Sequence, residues 1–349
     1  MKAEPRSALT APAHLVIRAP NWVGDLVMST PVLLEACSGA RFQRVSILVR
    51  AHLAPVLAGA PFEAALVPLE SGADEARAYR ELGADAALLL SNSFGAAWRA
   101  FRAGVAIRAG TSLSGRGLLL THRCSVPTRH GRRVAVPTAH LLRDAAGLLG
   151  LAVPDLHPRL WIGAATRERV RRAREAFGLR ERGYAVCCPG AAFGAAKLWP
   201  PERYAAALDA LHERRGLAAV VTGGPGEEEL VAAVCAASRS GARSLIGSER
   251  DLDALKAWIE GAALLLVGDS GPRWYAAAFD TPCVSLMGPN SPALTASSLE
   301  HCEIVRVEGL ECSPCLERVC PLAHHRCMRD IGVEQVVEAA QRVLERDAR

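Results

Sequence analysis

Short apolar runs recur along the chain, each followed by a stretch whose apolar positions repeat at helical spacing. His14–Arg18, Val45–Val49, Leu66–Leu69, Ala86–Leu90 and Val105–Ala109 read as strands, with helical patterns near 26–37, 52–59, 73–82 and 94–102. Residues 1–13 read as a disordered leader. The polar, basic stretch 111–137 breaks the rhythm, and a helix over 140–149 and the proline-containing connector VPDLHPRLWIG follow it. After a charged helix at 166–177 the alternation restarts. Tyr184–Cys188, Ala218–Thr222, Ser244–Gly247, Ala263–Val267 and Pro282–Met287 predict strands; 201–215, 227–238, 251–261 and 272–279 predict helices. An amphipathic helix over 333–347 closes the chain. Strands alternating with helices imply βαβ units and parallel sheets covered on both faces.

The expected fold class is therefore α/β, with two Rossmann-like parallel-sheet domains facing across a cleft. The expected boundaries are 14–160 and 175–330, with the helix 333–347 packing back on the N-terminal domain. Open parallel sheets bind ligands beyond the carboxyl ends of their strands. That singles out four loops: APNWVGD, PGAAFGAAKLWP, GGPGEEE and GDSGPRWY.

The stretch Tyr184–Tyr204 runs strand, small-residue loop, one lysine, helix. Small residues such as Gly190 let backbone N–H groups approach an anion, and Lys197 adds a point charge. GxxxxGK[ST] is absent, and the glycines Gly190 and Gly194 do not make GxGxxG; an ordinary strand–helix loop is the competing reading. Asp25, after the first strand, is either an N-cap aspartate or a general base over an acceptor hydroxyl. In GGPGEEE a glutamate can accept from ribose hydroxyls, or the acids merely favour a helix start. Asp269, Ser270 and Gly271 offer donors to an anion, or simple capping.

Composition narrows the classes. Of 349 residues half are hydrophobic and 22% charged, as in a folded chain long enough for two domains. A net charge of +5 suits an anionic ligand or surface, but there is no dense basic stripe, so a nucleic-acid partner is not expected. No apolar run reaches bilayer length and the N-terminus lacks an apolar signal core, so a cytoplasmic location is expected. Arg108, Arg116, Arg123, Arg129, Arg132 and Arg133 crowd the end of the first half. They read as a patch for an anionic ligand or surface (an anionic acceptor and membrane surface, on the family resemblance given below), or as a plain solvated face.

Of eleven cysteines, those in apolar runs, such as Cys187, Cys188 and Cys283, read as reduced core residues. Cys312, Cys315, Cys320 and Cys327 stand apart as C-x2-C-x4-C-x6-C, with His324 and His325 between them. That density suits a structural zinc site. Unligated thiols, disulfides and an iron–sulfur cluster are the alternatives, the last with spacings unlike this one.

Taken in order, PNWVGD, CPGAAFGAAKLWP, GGPGE and DSGP followed by AAA make the chain resemble the ADP-heptose:lipopolysaccharide heptosyltransferases, glycosyltransferase family 9 of the GT-B fold. It is most similar to the heptosyltransferase II branch, over roughly residues 14–345. The resemblance implies an inverting glycosyltransferase that moves heptose from ADP-heptose to the lipopolysaccharide inner core without a catalytic cofactor. It implies Asp25 as the base, Lys197 on the diphosphate, and Glu227 or Glu228 on the ribose. Asp269, Ser270 and Gly271 would lie under the diphosphate and heptose, and Gly190 beside the donor. Asn21, with Arg116 and Arg123, is assigned to the acceptor side. A lipid A–inner core acceptor implies peripheral attachment at the cytoplasmic face of the inner membrane. One position departs: the family usually has histidine three residues after the DSG glycine, where this chain has Trp274. Indole cannot replace imidazole, so Arg273 or Tyr275 is expected to contribute. The alternative is an ADP-sugar-binding protein with altered donor or reduced catalysis. An NAD-dependent oxidoreductase lacks its GxGxxG after the first strand.

Overall fold

The computed structural model describes residues 13–129, 132–247 and 251–347. The expected leader lies, apart from Ala13, outside them. The chain divides into two compact units, residues 1–54 with 61–156, and residues 55–60 with 157–349.

In the first unit, β1 (His14–Arg18), β2 (Arg44–Arg50), β3 (Leu66–Leu69), β4 (Ala86–Leu89), β5 (Ile107–Thr111) and β6 (His122–Cys124) form one sheet in the order β3-β2-β1-β4-β5-β6. Every neighbouring pair is parallel. β7 (Thr128–Arg129) and β8 (Arg132–Arg133) make a small antiparallel pair. In the second unit, β9 (Tyr184–Cys188), β10 (Ala218–Val221), β11 (Arg243–Ser244), β12 (Leu264–Gly268), β13 (Cys283–Leu286) and β14 (Cys302–Val305) repeat the plan as β11-β10-β9-β12-β13-β14, again all parallel. Both are the doubly wound arrangement, reversing beside the first strand of each sheet. Two parallel-sheet α/β units are what the alternation predicts.

The strands form where they do because they are covered on both faces. β1, β9 and β12 are buried at every residue, which is why β9 and β12 read as unbroken apolar runs rather than alternating ones, while β1 holds His14 and Arg18 at its ends by bonds to Ser46 and Glu75. Helix starts are fixed by short polar side chains. The Asp74, Ser93 and Asp251 side chains accept from the backbone N–H of Ala76, Ala96 and Ala254. Two edge strands escape the sequence pattern. β6 is HRC and β14 is CEIV, short and only partly covered, so neither carries an apolar run.

The last helix, Val333–Asp347, corrects the expectation that it packs on the N-terminal domain. Its apolar stripe, Val336, Val337, Ala339, Ala340 and Val343, is buried in the second unit's core, against the helix Pro201–Arg215 and strands β13 and β14. Without it one face of that sheet edge would lie bare. Residues 55–60 count with the second unit because the buried Lys256 Nζ donates to Ala58 O at 2.7 Å while pairing with Asp253 at 2.8 Å.

Candidate active site

The loops at the carboxyl edge of the second sheet bring together most of the residues singled out above. β9 ends in Pro189-Gly190, and a short 3-10 turn, Ala195–Lys197, presents the lysine. β12 delivers Asp269 beside it. Lys197 Nζ lies 2.5 Å from Asp269 Oδ2 and also donates to Asp269 O at 3.0 Å. The pair is mostly withdrawn from solvent, the side chains being 11% and 8% exposed. Asn290, in the loop after β13, donates to the same Asp269 oxygen at 2.7 Å. The ammonium also sits 4.8 Å above the Phe193 ring, whose surroundings include the Arg318 guanidinium at 5.2 Å. Ser270 Oγ is buried with no hydrogen-bond partner, an unusual condition for a hydroxyl.

Glu227 closes the other side. Its carboxylate accepts from Gly224 N–H at 2.7 Å and lies against Gly190. A Cβ at position 190 would stand 2.0 Å from that carboxylate, so the backbone approaches an acid that only glycine admits. The buried Cys188 thiol is pushed well above its ordinary range, first by burial and then by the Glu227 charge. Glu228 is the first residue of the next helix, exposed on its first turn. Of the two candidate glutamates, Glu227 is the one at the sheet edge.

Trp274 is buried under the Arg273 guanidinium, 4.5 Å from its ring. Both neighbours are buried, and Arg273 keeps Nε and Nη1 without a hydrogen-bond partner. Arg273 donates to the carbonyls of Thr295 and Ser297 at 3.0 and 3.3 Å, and Tyr275 donates to Leu252 O at 3.2 Å. Both side chains hold the scaffold, because their helix, Pro272–Ala278, turns them into the unit's interior.

In the first unit, β1 runs into Ala19, Pro20 and Asn21 before the helix Val23–Met28. Trp22 is the N-cap and Asp25 is the third helical residue, half-buried, so Asp25 is not itself the cap. Asn21 accepts from Arg18 Nη2 at 2.7 Å and donates to Ser91 Oγ at 3.0 Å. Arg18 is itself buried and bonded to the buried Glu75 at 2.8 Å. Arg50 and Arg99 approach Glu75 at 3.5 and 3.6 Å. This arrangement holds the loop that carries Asn21 and leads into the helix of Asp25. Sequence reasoning missed Arg18, Glu75, Ser91 and Asn290; the last two follow strand ends, a signal that was available for both.

Arg116 corrects the expectation of an acceptor-binding arginine. It is fully buried and donates to Thr111 O at 2.8 Å, Thr111 Oγ1 at 2.9 Å, Asn92 Oδ1 at 3.0 Å, Leu89 O at 3.3 Å and Ser91 O. Burial lowers its pKa to about 10. A buried guanidinium is costly unless its donors are matched, and here they are spent on tying the end of β4 to β5. Arg108 likewise turns inward, onto Leu119 O at 2.7 Å. Arg123 is exposed on β6, bonded to Gly117 O at 3.1 Å. The side chains of Arg129, Arg132 and Arg133 lie outside what is described.

The cysteine loop packs directly behind the lysine turn. Ala196 N–H donates to Arg318 O at 2.9 Å, and His325 Nε2 lies 2.7 Å from Ala196 O. A Cβ at Gly194 would stand 2.4 Å from Arg318 O. Cys312, Cys315, Cys320 and Cys327, with His324 and His325, line one cavity of about 170 Å³. Cys312 Sγ is 4.0 Å from His324 Nε2. Among the described residues no three ligating side chains are gathered closely enough to hold a metal ion.

Two doubly wound units, with a lysine–aspartate pair and a half-buried acid at the carboxyl edges of their sheets, define a GT-B-type glycosyltransferase. The family model of glycosyltransferase family 9 (heptosyltransferase) matches residues 75–325, and the chain belongs to that family. It is 30% identical over 311 residues to lipopolysaccharide heptosyltransferase 2 of Escherichia coli K12, covering 84% of this chain and 88% of that protein. It is 26% identical to lipooligosaccharide heptosyltransferase 2 of Haemophilus ducreyi, over 95% and 99% of the two chains. The solved structure of E. coli ADP-heptose lps heptosyltransferase II superposes with a TM-score of 0.74 at 25% identity, covering 96% of this chain and all of that one. These relatives do not favour the alternative of a binding protein with altered donor or reduced catalysis.

Proposed function

We propose that the chain is an inverting heptosyltransferase of the type II branch, moving heptose from ADP-heptose to a lipid A–inner core saccharide. The observation that carries this reading is the Lys197–Asp269 pair with Glu227 against Gly190, at one sheet edge of a chain whose relatives are heptosyltransferases. Lys197 and the Ser270 hydroxyl would meet the diphosphate, and Glu227 the ribose. In the reaction the acceptor oxygen bonds to the anomeric carbon as the bond to the diphosphate oxygen breaks. That electron pair leaves with ADP, where Lys197 offsets the developing charge. Asp25 takes the proton from the attacking hydroxyl, and one displacement inverts the centre.

A lipid-linked acceptor calls for contact with a membrane. No helix among the described residues is long and apolar enough to cross one, so peripheral attachment at the cytoplasmic face of the inner membrane is the reading. We further propose a structural zinc in the cysteine loop, on the ground that four cysteines and two histidines line one cavity and suit that ion in kind, although among the described residues their present spacing does not yet bring three of them together. Such an ion would brace the loop behind Lys197 and take no part in transfer. The test of function is incubation with ADP-heptose and defined inner-core acceptors. Release of ADP with a β-to-α or α-to-β change at the anomeric carbon supports it. Absence of transfer to every inner-core acceptor, with the donor bound, sinks it.

A further inference from the structure

The helix Phe94–Arg102 in the first unit carries an unusual outer face. At 3.6 residues per turn, Phe94, Trp98 and Phe101 fall within one arc of about 60°. Arg102 and then Arg99 follow on one side of that arc, and Ala96, Ala97 and Ala100 occupy the buried side. A surface helix ordinarily turns polar residues outward. Here the outward residues are aromatic: Phe94, Trp98 and Phe101 are 51%, 45% and 45% exposed. Trp98 and Phe101 lie against each other, ring centroids 5.7 Å apart. The 3-10 turn Arg116–Leu119 packs beside this helix and adds Leu118, 92% exposed. The core does not need these four side chains, since alanines already seat the helix.

The charges around the face are chiefly positive. Arg102 and Arg123 are exposed, Arg99 reaches Glu75 at 3.6 Å, and Arg108 lies over the Phe101 ring at 5.4 Å. Asp74, which caps the preceding helix and feels Arg102 and Arg80, is the nearby exposed acid; Glu75 is already held by Arg18. Aromatic rings rimmed by guanidinium groups suit the boundary of an anionic bilayer. Rings enter at the headgroup level and arginines meet phosphates.

Position strengthens the case. The helix begins where β4 ends, capped by Ser93, two residues after Ser91, which holds Asn21. β4 pairs directly with β1, which is followed by the loop carrying Asn21 and by the first turn of the helix carrying Asp25. A surface touched by Phe94 therefore lies at the same sheet edge as the acceptor-side residues. We propose that Phe94, Trp98, Phe101 and Leu118, rimmed by Arg99, Arg102 and Arg123, form the face that docks on an anionic lipid bilayer, orienting the acceptor edge toward it. This rests on the acceptor being lipid-linked, as argued above.

The experiment is flotation of the full chain with vesicles of phosphatidylethanolamine and phosphatidylglycerol, and with phosphatidylcholine vesicles, at low and physiological salt. Wild type floats with the anionic vesicles, less so as salt rises. Trp98→Ser/Phe101→Ser lowers partitioning by about tenfold or more, and Arg102→Gln weakens it with a shallower salt dependence. Both variants keep the wild-type melting temperature. Transfer to a delipidated acceptor is unchanged, while transfer to vesicle-embedded acceptor falls. The proposal is overturned if the double variant floats like wild type, or if wild type fails to float at low salt. It is equally overturned if sedimentation shows that the double substitution converts a dimer to a monomer, which would make the face a self-contact. If wild type floats but transfers heptose to neither acceptor, while the double variant loses flotation, the heptosyltransferase reading fails and the docking face stands.

Discussion

Lys197→Ala separates the scaffold from the binding site. In the folded chain the ammonium holds Asp269 at 2.5 Å, and that carboxylate is 8% exposed with Asn290 as its other side-chain donor. Removing one member of a fully buried pair costs about 3–5 kcal/mol. The remaining Asn290 bond, and the pair's place at an open sheet edge, bring the expected loss to about 2 kcal/mol. For a unit of this size that lowers Tm by about 4–8 °C. Loss of a charge-assisted contact to diphosphate adds about 1.5–3 kcal/mol against ADP binding, or about 10- to 150-fold in Kd. The two effects differ in their dependence on Asp269. Lys197→Ala/Asp269→Asn removes the stranded carboxylate and should recover most of the lost Tm, yet bind ADP no better than the single variant. Calorimetric titration with ADP and thermal melts of wild type and the two variants supply the numbers. ADP affinity in Lys197→Ala within about twofold of wild type would refute the phosphate role. Recovery of affinity in the double variant would show that the single variant acted through a disturbed Asp269 rather than through a lost contact.

Asp25→Asn is expected to lower kcat by about 10²-fold or more with ADP affinity unchanged; steady-state kinetics at saturating acceptor, with normal turnover, would remove Asp25 from the base role. Arg116→Ala is expected to destabilise the first unit by about 3 kcal/mol or more, because five acceptors lose their donor. A melt that is unaltered, with a raised acceptor KM, would return this arginine to the binding surface. Gly190→Ala should weaken the donor's KM with little change in kcat, since the new Cβ displaces the Glu227 carboxylate; equal KM values would detach Glu227 from the donor. Purified protein is expected to carry about one zinc per chain, and cobalt substitution to give thiolate charge-transfer absorption. Metal analysis that finds neither leaves the four cysteines as free thiols.

The alternation of apolar runs and helical patterns was enough to determine two parallel-sheet units, because strands buried on both faces are mostly apolar along their length. It also placed Lys197 and Asp269 in loops after strands and Asp25 at the start of the helix after the first strand, the positions a parallel sheet reserves for ligands. Partnership was not legible. Lys197 meets Asp269, 72 residues away, and Glu227 meets Gly190 through a close approach that only packing reveals. Arginines were the least legible of all: Arg116 and Arg123 look alike in a basic stretch, yet one is sealed in the core and the other lies in solvent. A guanidinium can satisfy five donors on backbone carbonyls as readily as on an anion, and local sequence does not say which. Likewise the last helix shows its apolar stripe in the sequence, but which sheet that stripe covers was settled by the open face beside β13 and β14. Pattern follows from local burial, so one chain segment suffices to read it; the choice of partner depends on what the rest of the chain leaves uncovered, and that exists only once the chain has folded.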